Sequence, residues 1–307
     1  MSTKPQIESS ADNLHYEFIQ AGALRFEVAT AGDPASPKLA LLLHGFPECA
    51  FSWRHQIEFL AARGYRVWAP NQRGYGNSPQ PRGVRAYSID ELTNDVANLI
   101  DASGASEVLL AGHDWGAIVA WEFAIRKLRP LARLAIFNVP HPAIFRAALR
   151  TNKVQRKRSR YVAFFQLPWL PEYLLTRRGG ALIDEAFRGM AVDKSRFPDD
   201  VLAVYRANAL RPGGATAMLN WYRAAGRSFG DANAPTPTIE TPTLMVWGEQ
   251  DSALGKELTL GTDQHVKDLT LRYLPDVSHW VQQEAPERVN EIWGAWLDGR
   301  EVPGNRS

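Results

Sequence analysis

The sequence predicts an α/β fold: a mostly parallel, twisted sheet with helices on both faces and a helical segment inserted late in the sheet. Three observations carry this. Short apolar runs alternate with helical patterns along much of the chain, as in a parallel sheet covered on both sides. Polar, glycine-bearing segments follow the apolar runs, where open sheets of this class place their ligands. Between Pro142 and about Gly230 the alternation stops, and aromatic-rich helices and loops replace it.

Taken in order, Met1 to Ser10 is polar and has no leader-like apolar stretch. The strand Leu39 to Leu43 runs into His44-Gly45-Phe46-Pro47-Glu48, and Arg66 to Ala69 runs into Asn71-Gln72-Arg73-Gly74-Tyr75-Gly76. Val108 to Ala111 leads to Gly112-His113-Asp114-Trp115-Gly116 and then to an alanine-rich helical stretch, Ala117 to Ala124. Leu134 to Phe137 leads to Asn138-Val139-Pro140-His141-Pro142 and the insertion, in which Phe164 to Glu172 and Leu219 to Arg223 stand out. Such an insertion would form a lid over the carboxyl ends of the strands, excluding water from an apolar pocket. The run Pro235-Thr236-Pro237-Thr238 marks the return to the sheet. Thr243 to Trp247 then leads to Gly248-Glu249-Gln250-Asp251, and Thr270 to Leu274 leads to Pro275-Asp276-Val277-Ser278-His279. The last helix, about Pro286 to Leu297, puts Val289, Ile292, Trp293, Trp296 and Leu297 on one face as core. The division expected is a core of residues 1–141 and 231–307 and a helical cap of residues 142–230.

Composition narrows the function. The chain of 307 residues can bury a large core, and a net charge of +2 gives no reason to invoke nucleic acid. One cysteine, Cys49, excludes an internal disulfide framework and paired-cysteine metal sites. There is no H-E-x-x-H either, so neither metal nor cofactor is expected. No run approaches the ~18 apolar residues of a membrane span, and a cytoplasmic protein is expected. A basic run, Arg146, Arg150, Lys153, Arg156, Lys157, Arg158 and Arg160, lies in a stretch without acids between Glu122 and Glu172 and reads as a solvated helical face. The oligomeric state is left open.

Gly112 to Gly116 carries the chemistry. Strand, sharp turn and helix are the context of a nucleophile elbow, with glycines letting the two elements approach, but the central residue is aspartate where a hydrolase would carry serine. A carboxylate attacks an electrophilic sp3 carbon, such as that of an epoxide or an alkyl halide, to give an alkyl ester of Asp114. Release of that ester needs water activated by a base and donors for the tetrahedral oxyanion.

With these motifs the chain resembles the epoxide hydrolase branch of the α/β-hydrolase superfamily over nearly its whole length. The family's segments match His44-Gly45-Phe46-Pro47, the elbow, Arg73-Gly74-Tyr75-Gly76-Asn77-Ser78, Tyr161, Tyr222, Asp251 and His279. The resemblance implies an α/β-hydrolase fold and cofactor-free hydrolysis of a small apolar epoxide by water to a vicinal diol. It implies Asp114 as nucleophile, His279 as base, Asp251 as its orienting acid, and the N–H groups of Phe46 and Trp115 as oxyanion hole. Tyr161 and Tyr222 would stabilise the epoxide oxygen, and Phe46, Trp115, Phe165, Trp221 and Trp280 would line the pocket. His44, His113 and His141 fall outside the catalytic order and read as structural.

Two other readings use the same residues. Haloalkane dehalogenases share an Asp-Trp elbow, but they commonly place a halide-binding asparagine where this chain has Phe46; haloacid dehalogenases of the fluoroacetate type resemble the chain too, but usually carry arginine where Trp115 stands. A receptor built on the same scaffold would be expected to lose a catalytic part. Asn71 stands where many relatives have aspartate, which touches local hydrogen bonding and not the proposed catalytic set.

Overall fold

The computed structural model describes residues 14–227 and 236–304. The expectations placed on Met1 to Ser10, on the cap boundary at residue 230 and on Pro235 lie outside the described residues.

A hairpin of β1 (His15–Ala21) and β2 (Leu24–Ala31) opens the chain, followed by β3 (Lys38–Leu43), α1 (Arg54–Ala61), β4 (Arg66–Pro70), α2 (Ile89–Ser103), β5 (Glu107–His113), α3 (Trp115–Ile125) and β6 (Arg133–Phe137). Helices α4 (Pro142–Thr151), α5 (Lys153–Arg158), α6 (Arg160–Phe164), α7 (Leu170–Met190), α8 (Asp199–Leu210) and α9 (Gly214–Arg227) lie between β6 and the next strand, in the stretch expected to be the cap and called so below. The sheet resumes with β7 (Thr243–Gly248) and β8 (Leu269–Leu274), and α10 (Val281–Glu284) and α11 (Pro286–Leu297) complete it. The eight described strands form one sheet in the order β1-β2-β4-β3-β5-β6-β7-β8. Strands β3 to β8 run parallel, and β1 and β2 pair antiparallel at one edge.

The central strands are apolar along their length because both of their faces are covered; every residue of β7 is buried, and so is all of β3 after Lys38. The edge pair was not expected from the sequence. β1 is largely exposed, with polar and apolar residues mixed, so no apolar run announces it. α2 is bounded by local chemistry: the Ser88 side chain accepts the Glu91 N–H, Asp90 and Glu91 stand in the first turn, and Gly104 closes the helix in the left-handed region.

One face of the sheet is packed by α1 and α11, where the rings of Trp53, Phe137 and Trp293 meet at 5.1 to 6.4 Å. The core on the other face continues into the cap through Phe187, Phe197, Tyr205 and Trp221. α7 is two helical pieces, since Arg178, Gly179 and Gly180 have φ of +51°, +66° and +87°. β5 lies between β3 and β6, and β7 between β6 and β8, so the loops that follow these strands open on one edge of the sheet. The expected site segments all meet there.

Candidate active site

Asp114 stands at the turn from β5 to α3 with φ +48° and ψ −122°, a conformation a non-glycine residue rarely holds. The flanking glycines explain how the turn is possible. A Cβ on Gly116 would fall on the carbonyl of Leu43, and one on Gly112 would fall on the backbone of Gly116. Asp114 precedes a helix, but its side chain makes no capping bond. Its Oδ1 accepts the N–H of Phe46 at 2.7 Å, and its Oδ2 lies 3.5 Å from Nε2 of His279.

The turn bearing Phe46 is held from below by His44. Its Nδ1 meets the Gly45 carbonyl at 2.9 Å and its Nε2 the Gln72 N–H at 3.1 Å; burial pushes this imidazole down to about 4, so it accepts there in the neutral form. Asn71, the departure noted in the sequence, accepts from the Ala50 N–H at 2.8 Å and donates to Glu27 at 2.6 Å. A carboxylate in its place could not donate to Glu27.

Nδ1 of His279 faces Oδ2 of Asp251 at 2.6 Å. Asp251 is itself fixed by the N–H groups of Ala253 and Leu254 at 2.8 and 2.9 Å and by Nδ2 of Asn138 at 2.9 Å. The nearby acids are committed elsewhere, Glu249 to Lys256 at 2.8 Å and Asp276 to Arg288 at 2.6 Å. Burial would lower the His279 pKa, but Asp251 and then Asp114 outweigh it and hold the imidazole up at about 10. For both carboxylates burial pushes the pKa upward, yet the facing imidazole leaves each below the usual range.

Above Asp114 stand rings from the cap. Tyr161 on α6 and Tyr222 on α9 have centroids 5.9 Å apart, and Phe165 lies 5.6 and 4.9 Å from them. Phe46 and Trp115 approach Tyr222 edge-on at 5.2 and 5.0 Å. Tyr161 is 39% exposed as a residue, but its hydroxyl end is buried. Burial first, then nearby Asp114, raises both phenols above their ordinary value, so they stay protonated donors. Two side chains lock the helices together: Arg223 donates to the carbonyls of Phe165 and Leu167 and pairs with Glu172 at 2.6 Å, and Gln166 donates to the carbonyl of Tyr222 at 3.0 Å.

The expected pocket set is thus brought together only in part. Phe46, Trp115 and Phe165 join the two tyrosines. Trp221 stands one ring behind, against Trp115 and Tyr75 at 5.7 and 5.9 Å, with its indole N–H on the carbonyl of Arg73. Trp280 packs between His279 and Phe187 at 5.0 and 4.3 Å. Asn138, Glu48 and Glu284 were not singled out from the sequence. The cue for Asn138 and Glu48 is weak: Asn138 directly follows β6, and Glu48 lies in the segment His44 to Glu48 that follows β3. Among the described residues, no group of three or more His, Cys, Asp or Glu side chains is arranged to hold a metal, and no helix is long and apolar enough to cross a membrane.

The alpha/beta hydrolase fold family matches residues 39–286. The chain is 36% identical over 282 residues to an AB hydrolase superfamily protein of Bacillus subtilis, covering 92% of this chain and 97% of that one. It is 35% identical over 292 residues to epoxide hydrolase 3 of Xenopus tropicalis, covering 93% and 78%. Its fold superposes on the crystal structure of Bacillus megaterium epoxide hydrolase in complex with an inhibitor with a TM-score of 0.83 and 30% identity, covering 92% of this chain and 100% of that one.

Proposed function

The chain belongs to the epoxide hydrolase branch of the α/β-hydrolase family, and from there we propose that it converts an apolar epoxide to a vicinal diol through an ester on Asp114. The observation that carries this is the unequal engagement of the two carboxylate oxygens. Oδ1 is held by the Phe46 N–H at 2.7 Å, leaving Oδ2 as the nucleophile beside His279. Attack by Oδ2 on an epoxide carbon forms the ester C–O bond and breaks the ring C–O bond. The departing oxygen takes hydrogen bonds, then a proton, from Tyr161 and Tyr222, whose hydroxyls are buried and protonated.

Esterification removes the charge of Asp114. His279 then loses one of the two carboxylates that hold its pKa up; its proton passes to the phenolate left by the first step, and the neutral Nε2 is free to take a proton from water. Hydroxide adds to the ester carbonyl carbon, the negative charge develops on Oδ1 where the Phe46 N–H already points, and the Trp115 N–H completes the hole. Collapse breaks the ester bond and returns the proton of His279 to the leaving alkoxide; the carboxyl proton left on Asp114 then passes to His279, which restores both groups with release of the diol. Asp251 keeps the imidazole in the tautomer that presents Nε2 to water.

A dehalogenase would use the Trp115 indole and a second donor to hold a halide. Against that reading, the position after Gly45 presents an aromatic ring, and two phenols face the nucleophile. Purified protein offered styrene oxide and, separately, 1-bromobutane distinguishes the two: diol without bromide is expected, and bromide without diol would move the assignment to dehalogenation.

A further inference from the structure

His279 is held through its backbone as well as its ring. Its carbonyl accepts from Nε2 of His113 at 2.8 Å, and Nδ1 of His113 faces Oε2 of Glu48 at 2.8 Å. Oε1 of Glu48 accepts from Nε2 of Gln283 at 2.7 Å, and Oε1 of Gln283 accepts from the hydroxyl of Tyr205 at 2.5 Å. These four side chains are fully buried, and together they make an unbroken line of hydrogen bonds from α8 of the cap to the backbone of His279. Glu48 also takes the Gly45 N–H at 2.8 Å and Nε2 of Gln282 at 2.9 Å, so every lone pair directed into the core is used. Burying a carboxylate in such a place costs several kcal/mol before its partners are counted, and an apolar pair would fill the same space. What an apolar pair would not supply is direction.

We propose that Tyr205 and Gln283 are positioning residues for the water-attack step. Through Glu48 and His113, a seated cap fixes the backbone of His279 and with it the reach of Nε2 towards the Asp114 ester. This rests on the reading of His279 as the base of ester hydrolysis. None of the four groups touches the reacting atoms, so the first step, attack by Asp114 on the epoxide, does not depend on the line.

Tyr205→Phe removes the cap's end of the line and leaves the other donor to Oε1 of Gln283, Nη1 of Arg54 on α1 at 2.8 Å, in place. The variant keeps the ring that stacks on Phe187 at 4.5 Å, and the cap stays fastened where Glu284 accepts the N–H groups of Val192 and Asp193 at 3.0 and 2.9 Å. With styrene oxide, kcat/KM should equal that of the wild type, because it reports formation of the ester. Loss of one hydrogen bond should lower kcat and KM together by about three- to tenfold, and the fraction of enzyme carrying the ester at steady state, read by intact mass, should rise. Unchanged kcat, KM and ester fraction would overturn the proposal, and so would a fall in kcat/KM with raised KM, the mark of a loosened cap. If the wild type forms neither ester nor diol from any epoxide, the hydrolase reading itself has failed. The line is then read without substrate, in protein carrying 15N-histidine: Tyr205→Phe should move the ring resonances of His113 and His279, and unmoved resonances would overturn it.

Discussion

The sheet and the cap build their halves of the site by different means. On the sheet side, each group stands just past a strand and is fixed by backbone geometry: Asp114 by a strained turn between glycines that admit no Cβ, Asp251 by two backbone N–H groups, Phe46 by its own N–H on the nucleophile. On the cap side, Tyr161 sits on a helix of five residues, held by side chains reaching across: Arg223, Glu172, Gln166 and a nest of rings. Geometry fixed by backbone tolerates no substitution at its hinges. Geometry fixed by side chains can be adjusted and, as proposed above, coupled to the other half.

The largest expected effect separates the halves at once. Asp114→Asn should lower diol formation by on the order of 10⁴ or more, since the amide is no nucleophile for an epoxide and no other group stands where it attacks. Activity retained within tenfold, measured by initial rates, would remove Asp114 from the centre of the account. Tyr161→Phe and Tyr222→Phe should each lower kcat/KM for the epoxide by about 10², because one donor to the leaving oxygen is lost while the other remains. Equal rates for either variant and the wild type would reduce that tyrosine to packing.

Stability should show the same contrast. Gly116→Ala forces a methyl group onto the Leu43 carbonyl, and neither backbone can yield, so a loss of about 3 kcal/mol or more, or failure to fold, is expected. Gly179→Ala in the break of α7 meets nothing within 4 Å and carries only the strain of φ +66°, about 1 kcal/mol. Denaturant melts of the two variants that show equal losses would erase the distinction between hinge and cap.

The smallest effect is electrostatic. The folded-state pKa of His279 lies at about 10, above its ordinary 6.5. Its contribution to stability is therefore complete below pH 6.5 and is lost as pH rises towards 10. Measured against His279→Gln, the stability advantage of the wild type should narrow over that window. A gap that stays constant from pH 6 to 10 in thermal melts would contradict the charged pairing of His279 with Asp251 and Asp114.

How much of this could be read from the sequence follows the same division. Strands β3 to β7 are largely apolar and buried and β8, half-buried at the sheet edge, still begins and ends on apolar residues, so these six announced themselves, and the segments behind them carried Asp114, Asp251 and His279 into one place. The hairpin of β1 and β2 did not, because an exposed edge has no apolar run to see. Tyr161 and Tyr222 were legible by resemblance, but Arg223 and Gln166 tie them together across more than 50 residues of chain, which no local pattern records. Trp221 and Trp280 were expected in the pocket. Trp221 lies between Trp115 and Tyr75 and Trp280 between His279 and Phe187, each one ring back from the reacting groups. The line from Tyr205 to His279 joins positions 78 and 166 residues apart at its two ends, and appears only when the fold is closed.

The ester on Asp114 is the claim on which the rest depends, and His279→Gln exposes it. Incubated with styrene oxide, this variant should gain the mass of one substrate molecule, with peptide mapping placing the addition on Asp114, and should release diol far more slowly than the wild type. An unmodified mass in the variant, beside a wild type that makes diol from the same epoxide, would contradict the covalent route and point to direct attack by water.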